Sequence, residues 1–89
     1  MEVVIFTTKD CSPCRTMKAI LTDYQEIKKF QLRVVEATRE NFREFEKHGI
    51  RAAPTVICLD DEGKKVGDFT GIVSPDIAAE FLRAWGVVK

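Results

Sequence analysis

Cys11 and Cys14 stand three positions apart, with Ser12 and Pro13 between them, where an apolar stretch gives way to an amphipathic one. If Cys11 caps a helix and Cys14 occupies its third position, the two side chains lie on neighbouring faces about 5–6 Å apart, close enough for a reversible disulfide. The unpaired amides of the first turn and the positive end of the helix dipole favour a thiolate there. Such a pair divides the work of disulfide exchange. Cys11, at the tip, attacks a disulfide in another molecule, and Cys14, shielded one turn in, displaces the captured partner. Pro13 fits the first turn, where an amide has no intrahelical partner to lose, and it stiffens the link between the sulfurs.

Two other chemistries use the same spacing. The pair is half of a zinc site if Cys58 and His48 complete it, although no second ligand pair stands at the usual finger spacing. It is also the ligand pair of small copper carriers, whose thiolates hold a soft metal ion. Those carriers run β-α-β-β-α-β with methionine two residues before the first cysteine, where this chain has Lys9.

The pair needs a strand to deliver it and a helix to hold it. Val3-Val4-Ile5-Phe6 is a continuous apolar run rich in β-branched residues, the pattern of a central strand covered on both faces. Beyond the cysteines, Met17, Ile20, Leu21, Tyr24 and Ile27 recur at helical spacing and predict one buried stripe. Leu32 to Ala37 reads as a second strand. Glu40 to His48 reads as a short helix carrying Phe42 and Phe45, capped by Gly49. Thr55 to Leu59 is a third strand, and Asp60 to Lys64 turns the chain into a fourth around Val66 to Thr70. Gly67 within that strand marks a bulge or a close backbone approach. Ser74-Pro75 supplies an N-cap and a first-turn proline for a last helix with Ile77, Ala78, Phe81, Leu82 and Trp85 on its apolar face.

The predicted order is therefore β-α-β-α-β-β-α, one α/β domain over residues 1–89. Strands joined through a helix are expected to run parallel and the hairpin antiparallel, giving a four-stranded mixed sheet flanked by three helices.

At this point the chain resembles the thioredoxin superfamily over essentially its whole length. The resemblance rests on the strand followed by C-x-x-C, on the G-I-R-x-x-P-T of residues 49–55, and on Gly71 after the fourth strand. It implies that Pro54 is cis and faces the cysteines, and that Ala53 offers its backbone to a bound substrate chain. Ser12, Pro13 and Gly71 would complete the substrate surface. It further implies a disulfide reductase acting on protein substrates, with the Cys11–Cys14 pair itself as the redox group and no bound cofactor. A thioredoxin reductase or glutathione would return the electrons.

The chain differs from both main branches. Asp10 stands where thioredoxins carry tryptophan, and the first strand lacks their buried aspartate; Glu36, in phase with Leu32 and Val34, reads as a solvated strand end, with replacement of the missing proton acceptor as its second reading. Glutaredoxins favour C-P-Y-C, T-V-P and paired glycines, none of which occurs here. A glutathione-dependent reductase is thus the second reading.

Composition narrows the setting. Fourteen basic and fourteen acidic residues cancel and form no basic stripe of the kind that follows a phosphate backbone, which argues against nucleic acid. No segment reaches the roughly 18 apolar residues of a membrane helix, and the opening MEVVIF does not read as a secretory leader. Three cysteines, an odd number with two of them too close in sequence to staple distant loops, do not make a secreted disulfide scaffold. A cytoplasmic monomer is the expectation. Cys58, inside an apolar strand, reads as a small buried hydrophobe. His48 reads as a basic side chain at a helix end, Lys9 as a solvated charge, and Trp85 as packing for the last helix.

Overall fold

The computed structural model describes all 89 residues, with strands β1 (Glu2–Thr7), β2 (Gln31–Glu36), β3 (Thr55–Leu59) and β4 (Lys65–Thr70) and helices α1 (Ser12–Lys28), α2 (Phe42–Lys47) and α3 (Pro75–Ala84). The strands form one sheet in the order β2-β1-β3-β4. β1 is central, and Val3, Val4, Ile5 and Phe6 have no exposed surface. Burying a side chain of this size contributes about 1.5–3 kcal/mol, so this tetrapeptide anchors the fold.

Because successive strand residues point to opposite faces, β1 feeds two cores. Val3 and Ile5 pack with Met17 and Leu21 of α1, Val56 of β3 and Leu82 of α3. Val4 and Phe6 pack on the other face with Val35, Ile57 and Leu59, covered by Phe45 of α2 and by Ile50. The ring of Phe45 meets that of Phe6 edge-on, with centroids 4.9 Å apart.

One expected rule fails. β1 and β2 are parallel, but β3 runs antiparallel to β1, and therefore antiparallel to β2 although α2 lies between them. Length is the physical reason. The 17 residues of α1 carry the chain about 25 Å at 1.5 Å per residue, enough to return along a strand of about 20 Å. The six residues of α2 advance only about 9 Å. The chain enters β3 at the end of the sheet where it left β2, with Glu36 beside Thr7 and Thr55 beside Phe6.

Local signals place the remaining pieces. α2 ends with Gly49 at φ 66°, and the Ile50 amide reaches back to the Phe45 carbonyl at 2.9 Å, a left-handed stop. Ser74 caps α3 by accepting from the Ile77 amide at 3.3 Å. Both interpretations of Gly67 hold. Val66 is bulged out of register between the Cys58–Gly67 and Leu59–Lys65 pairs, and the Trp85 indole lies directly over Gly67, so that a Cβ there would come within 2.8 Å of Cδ1. Trp85 and Phe81 stack on Phe69 and fix α3 to the sheet.

Two apolar stripes are narrower than expected. Ile27 is 72% exposed. It lies at the margin of the α1 stripe in the final turn, and Phe30, just past the left-handed Lys29, folds into the core instead, its carbonyl held by Gln25. Ile77 stays exposed in the first turn of α3, where Ala78 and Leu82 take the buried positions.

Candidate active site

The turn Thr8-Lys9-Asp10 connects β1 to α1, with Asp10 in the left-handed region at φ 58°. That reversal sets Cys11 in extended conformation at the N-cap, where its Sγ accepts a hydrogen bond from the Cys14 amide at 3.2 Å. The Cys11 carbonyl accepts from the Arg15 amide at 3.3 Å and starts the helix. Sulfur thus does the capping that a serine or aspartate oxygen usually does. The two cysteines form a disulfide across a Cα–Cα distance of 5.2 Å. Cys14 is 3% exposed and Cys11 half-buried, while Ser12 and Pro13 lie open in the first turn.

The reversed entry into β3 brings the Ala53–Pro54 peptide, which is cis, to the same end of the sheet. Pro54 is fully buried. Its carbonyl accepts from the Gly71 amide at 2.8 Å, and the Thr55 hydroxyl donates to the Ala52 carbonyl at 2.7 Å while meeting the Thr70 hydroxyl at 3.2 Å. The loop is thus braced at three points from within the chain. Neither the amide nor the carbonyl of Ala53 bonds to any other residue. A free backbone edge on a braced loop is what an extended substrate chain needs. Gly71 belongs to the brace, because its amide is already committed to Pro54.

A cleft of about 210 Å³ opens beside the disulfide, lined by Thr7, Cys11 and Cys14 together with Asp10, Glu36, Arg15 and Lys18. The buried polar side chains of the protein are Thr7 and Thr55, and the Thr7 hydroxyl donates to the Val35 carbonyl at 3.5 Å. No carboxylate is buried behind Cys14. Those that share its cleft, Asp10 and Glu36, are exposed at the rim. Arg15 and Lys18 join this cleft without having been expected from the motif. The signal was present, because they stand four residues after Cys11 and Cys14, the spacing of neighbours along one helix face.

The zinc alternative fails on placement. Cys58 follows Val56 on the α1/α3 face of the sheet, whereas the His48 ring lies on the α2 face, 6.0 Å from that of Phe6. No three His, Cys, Asp or Glu side chains converge anywhere as a ligand set. His48 also differs from its expected role. Only its backbone caps α2, and burial, reinforced by Lys47, holds its ring below the usual histidine range and disfavours the cation. Burial likewise pushes the Cys58 thiol up, its side chain being fully enclosed.

A mixed sheet that sets a C-x-x-C disulfide at a helix N-terminus, level with a cis-proline loop, defines a thiol–disulfide oxidoreductase site on a thioredoxin fold. The chain belongs to the thioredoxin-like family, whose Thioredoxin-like domain matches residues 2–85. Among solved structures it is similar to thioredoxin f2 of Chlamydomonas reinhardtii, at 24% identity and TM-score 0.79 over 92% of this chain and 76% of that one. It is similar also to reduced thioredoxin pre-protein of Schistosoma mansoni, at 26% identity and TM-score 0.77 over 93% and 76%. Thioredoxin 1 of Thermosipho africanus matches at 21% identity and TM-score 0.73 over 97% of this chain and 99% of that one. No match is found among curated proteins. The element order separates the chain from the β-α-β-β-α-β copper carriers.

Proposed function

We propose that this protein reduces disulfides in other proteins by dithiol exchange, with Cys11 as nucleophile and Cys14 as resolving thiol. The observation that carries the reading is the inequality of the two sulfurs. Cys11 is accessible at the cap and accepts an amide hydrogen bond, an arrangement that stabilises a thiolate, while Cys14 is 3% exposed and already within bonding reach of it.

In the dithiol form the Cys11 thiolate attacks one sulfur of a client disulfide. A Cys11–client bond forms, and the other client sulfur leaves as a thiolate and takes a proton from solvent. Cys14 then gives up its proton into the cleft it shares with Glu36 and attacks Cys11 Sγ, breaking the mixed disulfide. The second client sulfur leaves and is protonated. The client gains two electrons and two protons, and the Cys11–Cys14 pair ends oxidised, as in this structure. Ala53 would pair with the client backbone during the first step, as the family resemblance implies. The braced Pro54 and the exposed Ser12 and Pro13 would flank it.

The setting proposed is the cytoplasm, with a thioredoxin reductase or glutathione restoring the dithiol. The test uses the full chain in its reduced state with a protein disulfide. Cys11→Ser should abolish reduction, and Cys14→Ser should accumulate a covalent adduct with the client, seen by mass spectrometry without reductant. Full turnover by the Cys11→Ser protein would overturn the reading.

A further inference from the structure

The exchange mechanism uses the small cleft beside the sulfurs and leaves a larger one unexplained. On the α2 side an open groove of about 780 Å³ extends from Thr8 and Ala53, over Phe45 and Ile50, to Phe42. Phe42 is 59% exposed, an aromatic ring left open to water beside other apolar walls, and such patches mark interaction sites more often than accidents. The groove adjoins the reaction centre, because Thr8 lines both clefts, and Ala53, with its free backbone groups, lines the groove.

Its charge is one-sided. Arg39 and Arg51 line the groove and no acidic residue does. Neither arginine joins an ion pair, the cations so engaged being the N-terminus, Arg33 and Lys65. The chain as a whole carries no net charge, so the two guanidiniums are a local excess rather than part of a basic surface. By contrast, the cleft at the sulfurs carries both signs.

Resting on the protein-disulfide reading, we propose that this groove seats the client segment next to the target cysteine and selects segments that combine a large apolar side chain with neighbouring carboxylates. The apolar side chain would cover Phe42 against Phe45 and Ile50. The carboxylates would pair with Arg39 and Arg51, whose planar forks suit them, and the client backbone would run along Ala53. Glutathione supplies carboxylates but no apolar side chain, so it leaves Phe42 uncovered. The occupant argued for is therefore an acidic, apolar polypeptide.

The test compares second-order rates of reduction by the wild-type dithiol protein for a set of peptide disulfides. They differ only in the residues beside the cysteine: Phe with two Glu, Phe with two Lys, and Ser with two Glu. Glutathione disulfide and the uncharged 2-hydroxyethyl disulfide complete the set. The Phe/Glu peptide should react about tenfold or more faster than the Phe/Lys peptide, the low end of what steering into a charged cleft provides, and the ratio should shrink at high salt. In the doubly reversed variant Arg39→Glu/Arg51→Glu the ratio within that one protein should invert. Phe42→Ser, a change at an exposed position, should erase the advantage of the Phe/Glu over the Ser/Glu peptide. If the uncharged disulfide is reduced but the peptides react alike, or glutathione disulfide equals the Phe/Glu peptide, the groove proposal is overturned and the exchange reading stands. If no disulfide is reduced, both fall.

Discussion

The Gly71 amide donates to the Pro54 carbonyl at 2.8 Å, tying the end of β4 to the loop that carries the free edge of Ala53. Gly71 adopts φ 92° and a Cβ there would touch nothing within 4 Å. Any cost of a side chain is therefore conformational. Gly71→Ala should lower stability by about 1–2 kcal/mol, the penalty of the left-handed region for an L-residue. It should slow peptide-disulfide reduction more than reduction of 2-hydroxyethyl disulfide, because only the peptide needs the braced edge. Urea unfolding and the two rates read these effects separately.

Gly67 poses the opposite problem. A methyl group there would press into the Trp85 indole at 2.8 Å from Cδ1. Gly67→Ala should cost about 1–3 kcal/mol through overpacking. Trp85 is the only tryptophan, so its fluorescence should shift in the native state of the variant as well as report the lower unfolding midpoint.

Glu36→Gln should slow the second half of exchange while leaving the first attack by Cys11 unaltered. In a stopped reaction with a protein disulfide, the mixed adduct should become visible in the variant under conditions where the unmodified protein shows little. Release should regain speed at higher pH, where Cys14 ionises without help. Equal release rates at all pH values would remove Glu36 from the mechanism.

Acid should destabilise the protein in two windows. His48 titrates below the usual histidine range in the folded state because burial, then Lys47, disfavours its cation. Above about 6.5, the ordinary histidine value, both folded and unfolded chains hold it neutral and its contribution is complete. As pH falls from there toward the lower folded-state value, the unfolded chain takes up the proton first and stability declines. The second window lies near and below about 4.3, the ordinary glutamate value. There Glu44, held low chiefly by its hydrogen bond from Arg33, loses that partner on protonation. His48→Phe should remove the first decline and leave the second. As the chain has one histidine, its ring-proton NMR titration can be followed without ambiguity.

The alternation and helical spacing of apolar residues sufficed to place seven elements in order, and local chemistry marked their ends at Gly49, Ser74 and Pro75. What one sequence does not display is how far a short helix carries the chain. The direction of β3 depends on α2 advancing only about 9 Å, whereas the cis Pro54 near the cysteines was legible only through the family resemblance and not from spacing. The cap at Cys11 follows from local rules, whereas the neighbourhood of Cys14 is tertiary. Glu36 arrives from β2, and the want of a buried carboxylate becomes plain only once every polar side chain has been placed. Phe42 shows the limit of pattern reading most directly. Its spacing from Phe45 marks a helix face, but Phe45 fills the space over Phe6 and Phe42 is left outside.

The enclosure of Cys58 bears on fidelity. Three thiols can in principle be joined in three ways, and a protein cycling between dithiol and disulfide meets that choice on every turn. Here the odd sulfur is walled into the sheet, where burial disfavours its thiolate, so only one oxidised isomer is within reach. In the proposed cycle, re-reduction would therefore leave no miswired form to repair.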